Sequence, residues 1–300
     1  MMYDVVVVGC GPAGMTAAIY AARAGKSVKV LEKQSIGGQI ATSPFVENFT
    51  AHHSSSGMDL ADDMYNQMMQ LGVEQDFSEV CNLSRNKKNI FVVHTESDVI
   101  CAKSIIVASG SKHRQLGVPG ETEYAYYCAT CDGPLFKDRR VVVVGAGNTG
   151  AQYALELASY CSSVVLCDVV SSLRCEDVLA RRIAATPNIS LKLGVWVDKF
   201  CGDEGGLRSI VFYDGSTIEA DGVFVAVGQT PDTDFVRNFV VTDASGYICT
   251  DEDMNTSVPG VFAAGDCRKK TVRQAIVAAG EGAVAAISAL RYLHNTTTKE

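Results

Sequence analysis

Two segments of this chain are built alike: YDVVVVGCGPAG (residues 3–14) and RVVVVGAGNTG (140–150) each carry a β-branched run, a Gly-x-Gly-x-x-Gly turn and an apolar-periodic stretch after it. A second β-branched run follows in each case, SVKVLE (27–32) or SVVLCD (163–168), and ends in an acid. The interval from first glycine to acid is the same, 9 to 32 and 145 to 168. A lone glycine fingerprint says little, but one that follows a strand, opens a helix and meets an acid about twenty residues later marks a dinucleotide-binding βαβ unit. The first glycine permits the tight turn, the second lets backbone approach a pyrophosphate, and the third packs helix on strand. The helix N-terminus offers unpaired N–H groups to phosphate, and the acid accepts hydrogen bonds from a ribose. The sequence therefore predicts an α/β chain with two dinucleotide folds.

A chain of 300 residues has room for two domains. Between the repeats, residues 87–111 alternate like an antiparallel sheet. After the second, residues 209–233 give a strand, a turn at Asp214-Gly215 and further strands, and residues 246–267 lead into a long helix. Turn-rich stretches near 112–120 and 240–246 are the expected connections, which makes the first domain discontinuous, with the second inserted into it. The apolar stretch 275–290 is too short for a bilayer span and contains Glu281, so a buried Ala/Gly-rich helix is expected.

The net charge of −8 disfavours nucleic acid or an anionic membrane as partner, and would steer a small protein with a basic patch toward the chain. The N-terminus enters a strand at once, without the pattern of a secretion signal, so a cytoplasmic location is expected. Eleven cysteines in that setting are mostly small apolar packing residues, and Cys10, Cys101, Cys161 and Cys167 sit in runs that suit this role. One pair is different. Cys128 and Cys131, in YCATCDG (127–133), have CxxC spacing beside Asp132. Zinc needs two further ligands, normally from a second CxxC or a spaced histidine pair, and neither is present, so no metal is expected. A static staple across so short a loop restricts little unfolded chain. A reversible disulfide remains, and a disulfide reduced repeatedly requires an electron source. His52-His53 and the Met-rich segment 62–72 are read as a solvated loop and an ordinary helix face.

The motifs VVGCGPAG, GGQI (37–40), ENF (47–49), ASGS (108–111), CATCDG (128–133), VVGAGNTG, FVAVGQTPDT, VFAAGDC (261–267) and RQAIVAAGEG (273–282) together resemble the low-molecular-weight, bacterial-type thioredoxin reductases and the related flavoprotein core of alkyl hydroperoxide reductase. The resemblance covers essentially the whole chain. It implies two Rossmann-like, three-layer ββα domains: an FAD domain of residues 1–115 and 243–300, and a pyridine-nucleotide domain of 116–242 carrying the redox disulfide. It also implies a homodimer and a large rotation of the nucleotide domain. Carried over residue by residue, it places Gly9, Gly11, Pro12, Ala13 and Gly14 at the FAD pyrophosphate, and Glu32 on the adenosine ribose with Lys33 beside it. Gly38, Gln39 and Asn48 come to the flavin side, with Val80, Ser109 and Gly110 also in the FAD site. Gly265 and Asp266 meet the ribityl chain, while Arg273, Gln274 and Ala275 start the last helix beside the isoalloxazine. The stretch ENFTAHHSSSGMDL lacks the proline-glycine common at this point in the family.

Cys128, Cys131 and Asp132 are the implied catalytic residues, with Cys131 toward the flavin and Asp132 handling protons for thiols and flavin. Electrons would run from a reduced nicotinamide through FAD and the disulfide to thioredoxin or a similar small redoxin. Gly145, Gly147, Asn148, Thr149, Gly150, Asp168 and Arg174 are the expected nicotinamide-nucleotide residues. NADPH-linked relatives show a His-Arg-Arg run where this chain has Asp168, Val169 and Val170, leaving Arg174 alone to meet a 2′-phosphate. Two missing charge-assisted hydrogen bonds amount to on the order of 3 kcal/mol, or about a hundredfold in affinity. NADH is therefore expected over NADPH. The alternatives are a ferredoxin-dependent flavin thioredoxin reductase and, from another class, a flavin-binding sensor without turnover.

Overall fold

Val5 and Val7 of the first strand, Met2–Val8, enter one apolar cluster, and Val6 and Val8 enter another. Such a strand is buried on both faces, as the central strand of a parallel sheet must be. The computed structural model describes residues 2–43, 46–52, 56–87 and 89–297. The chain divides into two units, residues 1–112 with 230–300, and residues 113–229.

In the first unit the sheet runs Glu74–Phe77, Val28–Glu32, Met2–Val8, Val99–Val107, Phe91–Thr95, Val80–Arg85. Val261–Ala263 joins in parallel beside the second half of Val99–Val107, whose first half pairs antiparallel with Phe91–Thr95. The helices Pro12–Arg23, Gly57–Met69 and Ala275–Thr297 contribute Met15, Met68, Ala285, Ala286 and Ala289 to the cluster on one face. The last of these helices is long and apolar enough to span a bilayer. It is a core helix here, packed so closely on Pro12–Arg23 that a Cβ on Gly282 would lie 2.1 Å from the Ala13 carbonyl oxygen. It begins at Ala275, with Arg273 and Gln274 just before it rather than inside it. Ser56 and Asp59 form a reciprocal capping box at the start of the Met-rich helix, whose Met68 is buried.

The second unit repeats the plan. Its parallel sheet runs Ile189–Leu193, Ser163–Asp168, Arg140–Val144, Gly222–Val225, Ala125–Tyr126. Val141 and Val143 face a cluster shared with the helices Asn148–Ala158 and Asp177–Ala184, and Val142 and Val144 face the antiparallel sheet of Val197–Asp203, Gly206–Phe212 and Thr217–Glu219. The second unit is thus three layers, helices, parallel sheet and antiparallel sheet, while in the first the antiparallel strands continue the parallel sheet through Val99–Val107 and pack Leu83, Phe91 and Val93 with Val6 and Val8.

The chain returns to the first unit at residue 230, ahead of the turn-rich 240–246 stretch expected to hold that crossing. Residues 233–240 belong to the first unit because Val236 and Val240 bury in its core and the Thr233 hydroxyl donates to the Gly246 carbonyl oxygen.

Candidate active site

The two glycine turns match in stereochemistry. Gly9 has φ +107° and Gly145 φ +109°, and in each a Cβ would stand 2.3 Å from a carbonyl oxygen of the neighbouring strand's end, Ala108 or Ala226. No L side chain fits both conditions. A Cβ on the third glycine would collide with the first, at 1.9 Å for Gly14 on Gly9 and 1.7 Å for Gly150 on Gly145. The second glycine is open: among the described residues a Cβ on Gly11 would meet only the Gly37 oxygen at 3.8 Å, and one on Gly147 nothing within 4 Å. Each helix, Pro12–Arg23 or Asn148–Ala158, starts after a glycine with no side-chain cap. Open space over bare helix N–H groups is what a pyrophosphate requires.

In the first unit, Glu32 accepts from the Cys10 amide at 2.8 Å and the Gln34 amide at 2.9 Å. With roughly four lone-pair positions on a carboxylate, it keeps room for a ribose diol. Lys33, Val80, Ser109 and Gly9 line one pocket with Asp232 and Phe235. Lys33 is ion-paired with Asp232, and Ser109 donates to the Asp232 carbonyl oxygen at 2.6 Å. The Gly110 carbonyl oxygen accepts from the Asp232 amide at 3.0 Å. Gly38 lies against Gly11. Gln39 donates to the Ser111 carbonyl oxygen at 2.6 Å, and Asn48 to Gln274 at 3.1 Å. The structure therefore joins segments that are far apart in sequence.

At the other end of this site, Lys270 Nζ stands 3.0 Å from Asp266 and 3.2 Å from Glu281. Glu281 also accepts from Arg268 at 3.0 Å and from the Gly265 amide at 2.8 Å. Asp266 Oδ1 has the Lys270 ion pair as its contact, and among the described residues the buried Arg273 Nε makes no hydrogen bond, while its guanidinium lies 4.3 Å from the Tyr247 ring centre. A buried polar atom without a partner, such as Arg273 Nε, calls for a ligand. The open second glycine, the half-filled Glu32 and the unsatisfied Arg273 Nε fit FAD. Asp232, Lys270, Glu281 and Tyr247 are additions to the residues expected from sequence. Of the loop that follows Asn48, His53, Ser54 and Ser55 lie outside the described residues.

In the second unit, Asp168 is turned inward. Its Oδ2 accepts from the Ala146 amide at 2.6 Å and Arg174 Nη2 at 3.0 Å; its Oδ1 accepts from the Val170 amide at 3.1 Å and the same Arg174 nitrogen at 3.3 Å. Burial pushes this carboxyl up, but the two amides and the Arg174 guanidinium outweigh it and hold it below its ordinary value. A depressed carboxyl contributes stability that is complete above the unfolded value of 3.8 and fades as pH falls through the lower folded one. Asp168→Asn is therefore expected to unfold at lower urea than the native chain at pH 7, with the gap closing below about pH 4. A gap independent of pH would show that the carboxylate's charge is not what stabilises this unit. Asn148 exchanges hydrogen bonds with Glu176, and Thr149 is exposed.

Cys128 and Cys131 form a disulfide, with Cα atoms 5.3 Å apart. Cys128 caps a single helical turn, Ala129–Asp132, its sulfur accepting from the Cys131 amide at 3.1 Å. Such a position favours a thiolate once the bond is opened. The Asp132 carboxyl does not cap the following Gly133-Pro134 turn, and burial raises its pKa. Thr130 donates to Glu156 at 3.2 Å, and Tyr153 to the Tyr127 carbonyl oxygen at 2.7 Å, which ties the turn to the helix below. The other nine cysteines are free. Burial pushes Cys10 and Cys167 up to about 12 and Cys161 and Cys267 to about 11, which keeps them inert thiols. Cys101 is only half-buried.

Residues 3–282 match the family model described as pyridine nucleotide-disulphide oxidoreductase. A thioredoxin reductase of Listeria monocytogenes is 36% identical, over 97% of this chain and 94% of its own. An alkyl hydroperoxide reductase component of Pseudomonas aeruginosa is also 36% identical, over 99% of this chain but 60% of its own length. The crystal structure of Lactococcus lactis thioredoxin reductase superposes with a TM-score of 0.94 at 34% identity, covering 98% of this chain and 99% of that one.

Proposed function

The chain belongs to the pyridine nucleotide-disulphide oxidoreductase family, and from that membership we propose that it draws electrons from NADH and uses them to reduce thioredoxin or a similar small redoxin through the Cys128–Cys131 disulfide. It is an oxidoreductase of the thioredoxin-reductase type, and its family implies FAD and a nicotinamide donor. The observation that carries the proposal is the formed disulfide on a one-turn helix beside Asp132, in the same unit as an intact nucleotide turn ending in Asp168.

FAD, when bound, supplies a two-electron relay between nicotinamide and disulfide. Gly9, Gly11 and Gly14 with the first helix N-terminus would hold its pyrophosphate, Glu32 its ribose, and Asp266 its ribityl chain. Arg273, Gln274 and Ala275 would flank the flavin, with the start of the last helix favouring negative charge there. Opening the disulfide takes two electrons and two protons. One thiolate then attacks the partner's disulfide, and the second cysteine resolves the mixed disulfide, so that the partner leaves as a dithiol and Cys128–Cys131 is oxidised again.

In this reading Asp132, next in sequence to Cys131, holds and delivers protons for the cysteine sulfurs, and its raised pKa, caused by burial, supports that role because it keeps more of the group protonated than an exposed aspartate. Asp132→Asn should slow turnover by roughly 10²–10⁴-fold with little change in KM for the redoxin, and should remove one limb of the pH–rate profile. A variant with normal rates and an unchanged profile would take Asp132 out of the mechanism.

NADH is preferred because Val169 and Val170 stand where a 2′-phosphate would need cations, and because Asp168 is an acceptor for ribose hydroxyls. The match of the second glycine turn to the first speaks against a ferredoxin-only enzyme. We propose that the enzyme is a homodimer, as the family resemblance implies, and that it works in the cytoplasm, which its thiol-rich composition and its likeness to bacterial thioredoxin reductases support. The decisive test is anaerobic. Rapid bleaching of the flavin by NADH, with slower bleaching by NADPH, is expected; bleaching by reduced ferredoxin alone would overturn the donor. A thiol count before and after reduction should rise by about two, the yield of one disulfide, and no rise would favour a sensor.

A further inference from the structure

The two ribose-reading acids are placed alike and used differently. Glu32 accepts two hydrogen bonds, both from amides of its own turn region. Asp168 accepts the equivalent amide bonds, from Ala146 and Val170, and then a third partner, Arg174, lies across both of its oxygens. With about four lone-pair positions on a carboxylate, Glu32 can still receive a diol, whereas Asp168 is full. The pair is asymmetric in exposure: the Asp168 side chain is 3% exposed and that of Arg174 is 58%. The carboxylate is fixed, and the guanidinium is the group able to leave.

The segment bearing Arg174 is itself fastened across the second turn. The Arg174 amide donates to the Ala146 carbonyl oxygen at 2.9 Å, and two residues on, the Glu176 amide donates to Asn148 at 2.8 Å while Asn148 donates back to the Glu176 carboxylate at 3.2 Å. The backbone is held at both points, so a departure of Arg174 is a side-chain rotation and does not require the loop to open.

Resting on the nicotinamide reading above, we propose that Arg174 is a specificity-determining residue that acts as a displaceable counter-ion on Asp168 and not as a phosphate ligand. A dinucleotide with a free 2′-hydroxyl gains entry by taking over the acceptor positions Arg174 vacates, while the carboxylate keeps its two amide donors. A 2′-phosphorylated dinucleotide cannot make this exchange. It has no hydroxyl to offer at that position, and drawing Arg174 to its phosphate leaves Asp168 without a counter-ion beside a second anion. The same arginine that would welcome NADPH in a chain with a neutral residue at 168 is here held by the acid.

The test is calorimetric titration of the oxidised holoenzyme with NAD⁺ and, separately, NADP⁺, in the native protein, Arg174→Gln, Arg174→Lys and Asp168→Asn. Removing a half-exposed ion pair should tighten NAD⁺ by about two- to fivefold in Arg174→Gln, with Arg174→Lys close to native. Asp168→Asn should weaken NAD⁺ and, by freeing Arg174, tighten NADP⁺ by roughly tenfold, the change expected for one new charge-assisted hydrogen bond to the phosphate. A purely structural role would shift both ligands together and leave their ratio unchanged, which would overturn the proposal. So would an Arg174→Gln variant that loses NADP⁺ affinity with NAD⁺ unaltered, or that binds NAD⁺ more weakly. If the native protein binds neither dinucleotide but Arg174→Gln binds NAD⁺, the counter-ion role stands and NADH as the native donor falls. If no variant binds NAD⁺, the counter-ion role falls; bleaching of the native flavin by NADH decides the donor independently.

Discussion

Cys128→Ser is expected to lower redoxin reduction by at least ~10³-fold, as loss of a covalent participant does, while NADH still bleaches the flavin at an undiminished rate. The two readings separate because the first half of the reaction needs no sulfur and the second cannot proceed without both. Cys131→Ser should give the same split. Burial keeps Cys10, Cys161, Cys167 and Cys267 as protonated thiols, so these four offer no substitute thiolate. Stopped-flow flavin absorbance, alongside steady-state reduction of a thioredoxin disulfide, measures both halves. Residual redoxin reduction near the native rate in either variant would show that electrons leave the flavin by another path, and the disulfide would then be structural.

The second large effect lies at Glu281. Its carboxylate, with the side chain 10% exposed, is shared by Arg268 (14%) and Lys270 (6%) and also receives the Gly265 amide. Glu281→Leu strands the buried Arg268 guanidinium and the Gly265 amide and leaves Lys270 with Asp266 as its carboxylate partner, a change worth about 3–5 kcal/mol. We expect a lower unfolding midpoint for the unit made of residues 1–112 and 230–300 and weaker retention of FAD, since Gly265 and Asp266 lose their anchor. The double variant Glu281→Leu/Arg268→Met should recover part of the loss, because removing one stranded cation costs less than keeping it unpaired. Differential scanning calorimetry and the fluorescence of released FAD test this. A double variant no better than the single one would mean that the cluster contributes through packing and not through charge.

Features set by local stereochemistry were legible in the sequence. The glycines at 9 and 145 must be glycine because of a positive φ and a carbonyl oxygen at contact distance, and the acid at a fixed interval follows from the length of one βαβ unit. The CxxC pair was legible for the same reason, since three residues of helix bring the two sulfurs together. What could not be read were partnerships made by tertiary folding. Glu281 was visible only as a charge that spoils a membrane span, and nothing in the string ties it to Arg268 and Lys270 across a turn. Asp232 pairs with Lys33 from the far side of an inserted domain. Arg174 could be recognised as a lone remaining cation, but its direction could not, and the structure sends it to Asp168. The second domain boundary was misplaced because 209–233 reads as one run of strands, although its last residues already belong to the other core.

Because the chain's first domain is closed by its last helix, the order of synthesis runs against the order of assembly. The strand Met2–Val8 and the helix Pro12–Arg23 leave the ribosome well before residues 275–297, and until those are made the surface that Ala285, Ala286 and Ala289 cover stays bare. Residues 113–229 have by then emerged whole, with two clusters of their own. Domains fold as units during translation, so the inserted disulfide-bearing unit can finish while the flanking one still waits for its C-terminal third. Gly265, Asp266 and the Arg273–Ala275 stretch arrive only after residues 113–229 are complete, so a pocket that needs them cannot form before the inserted unit has been made.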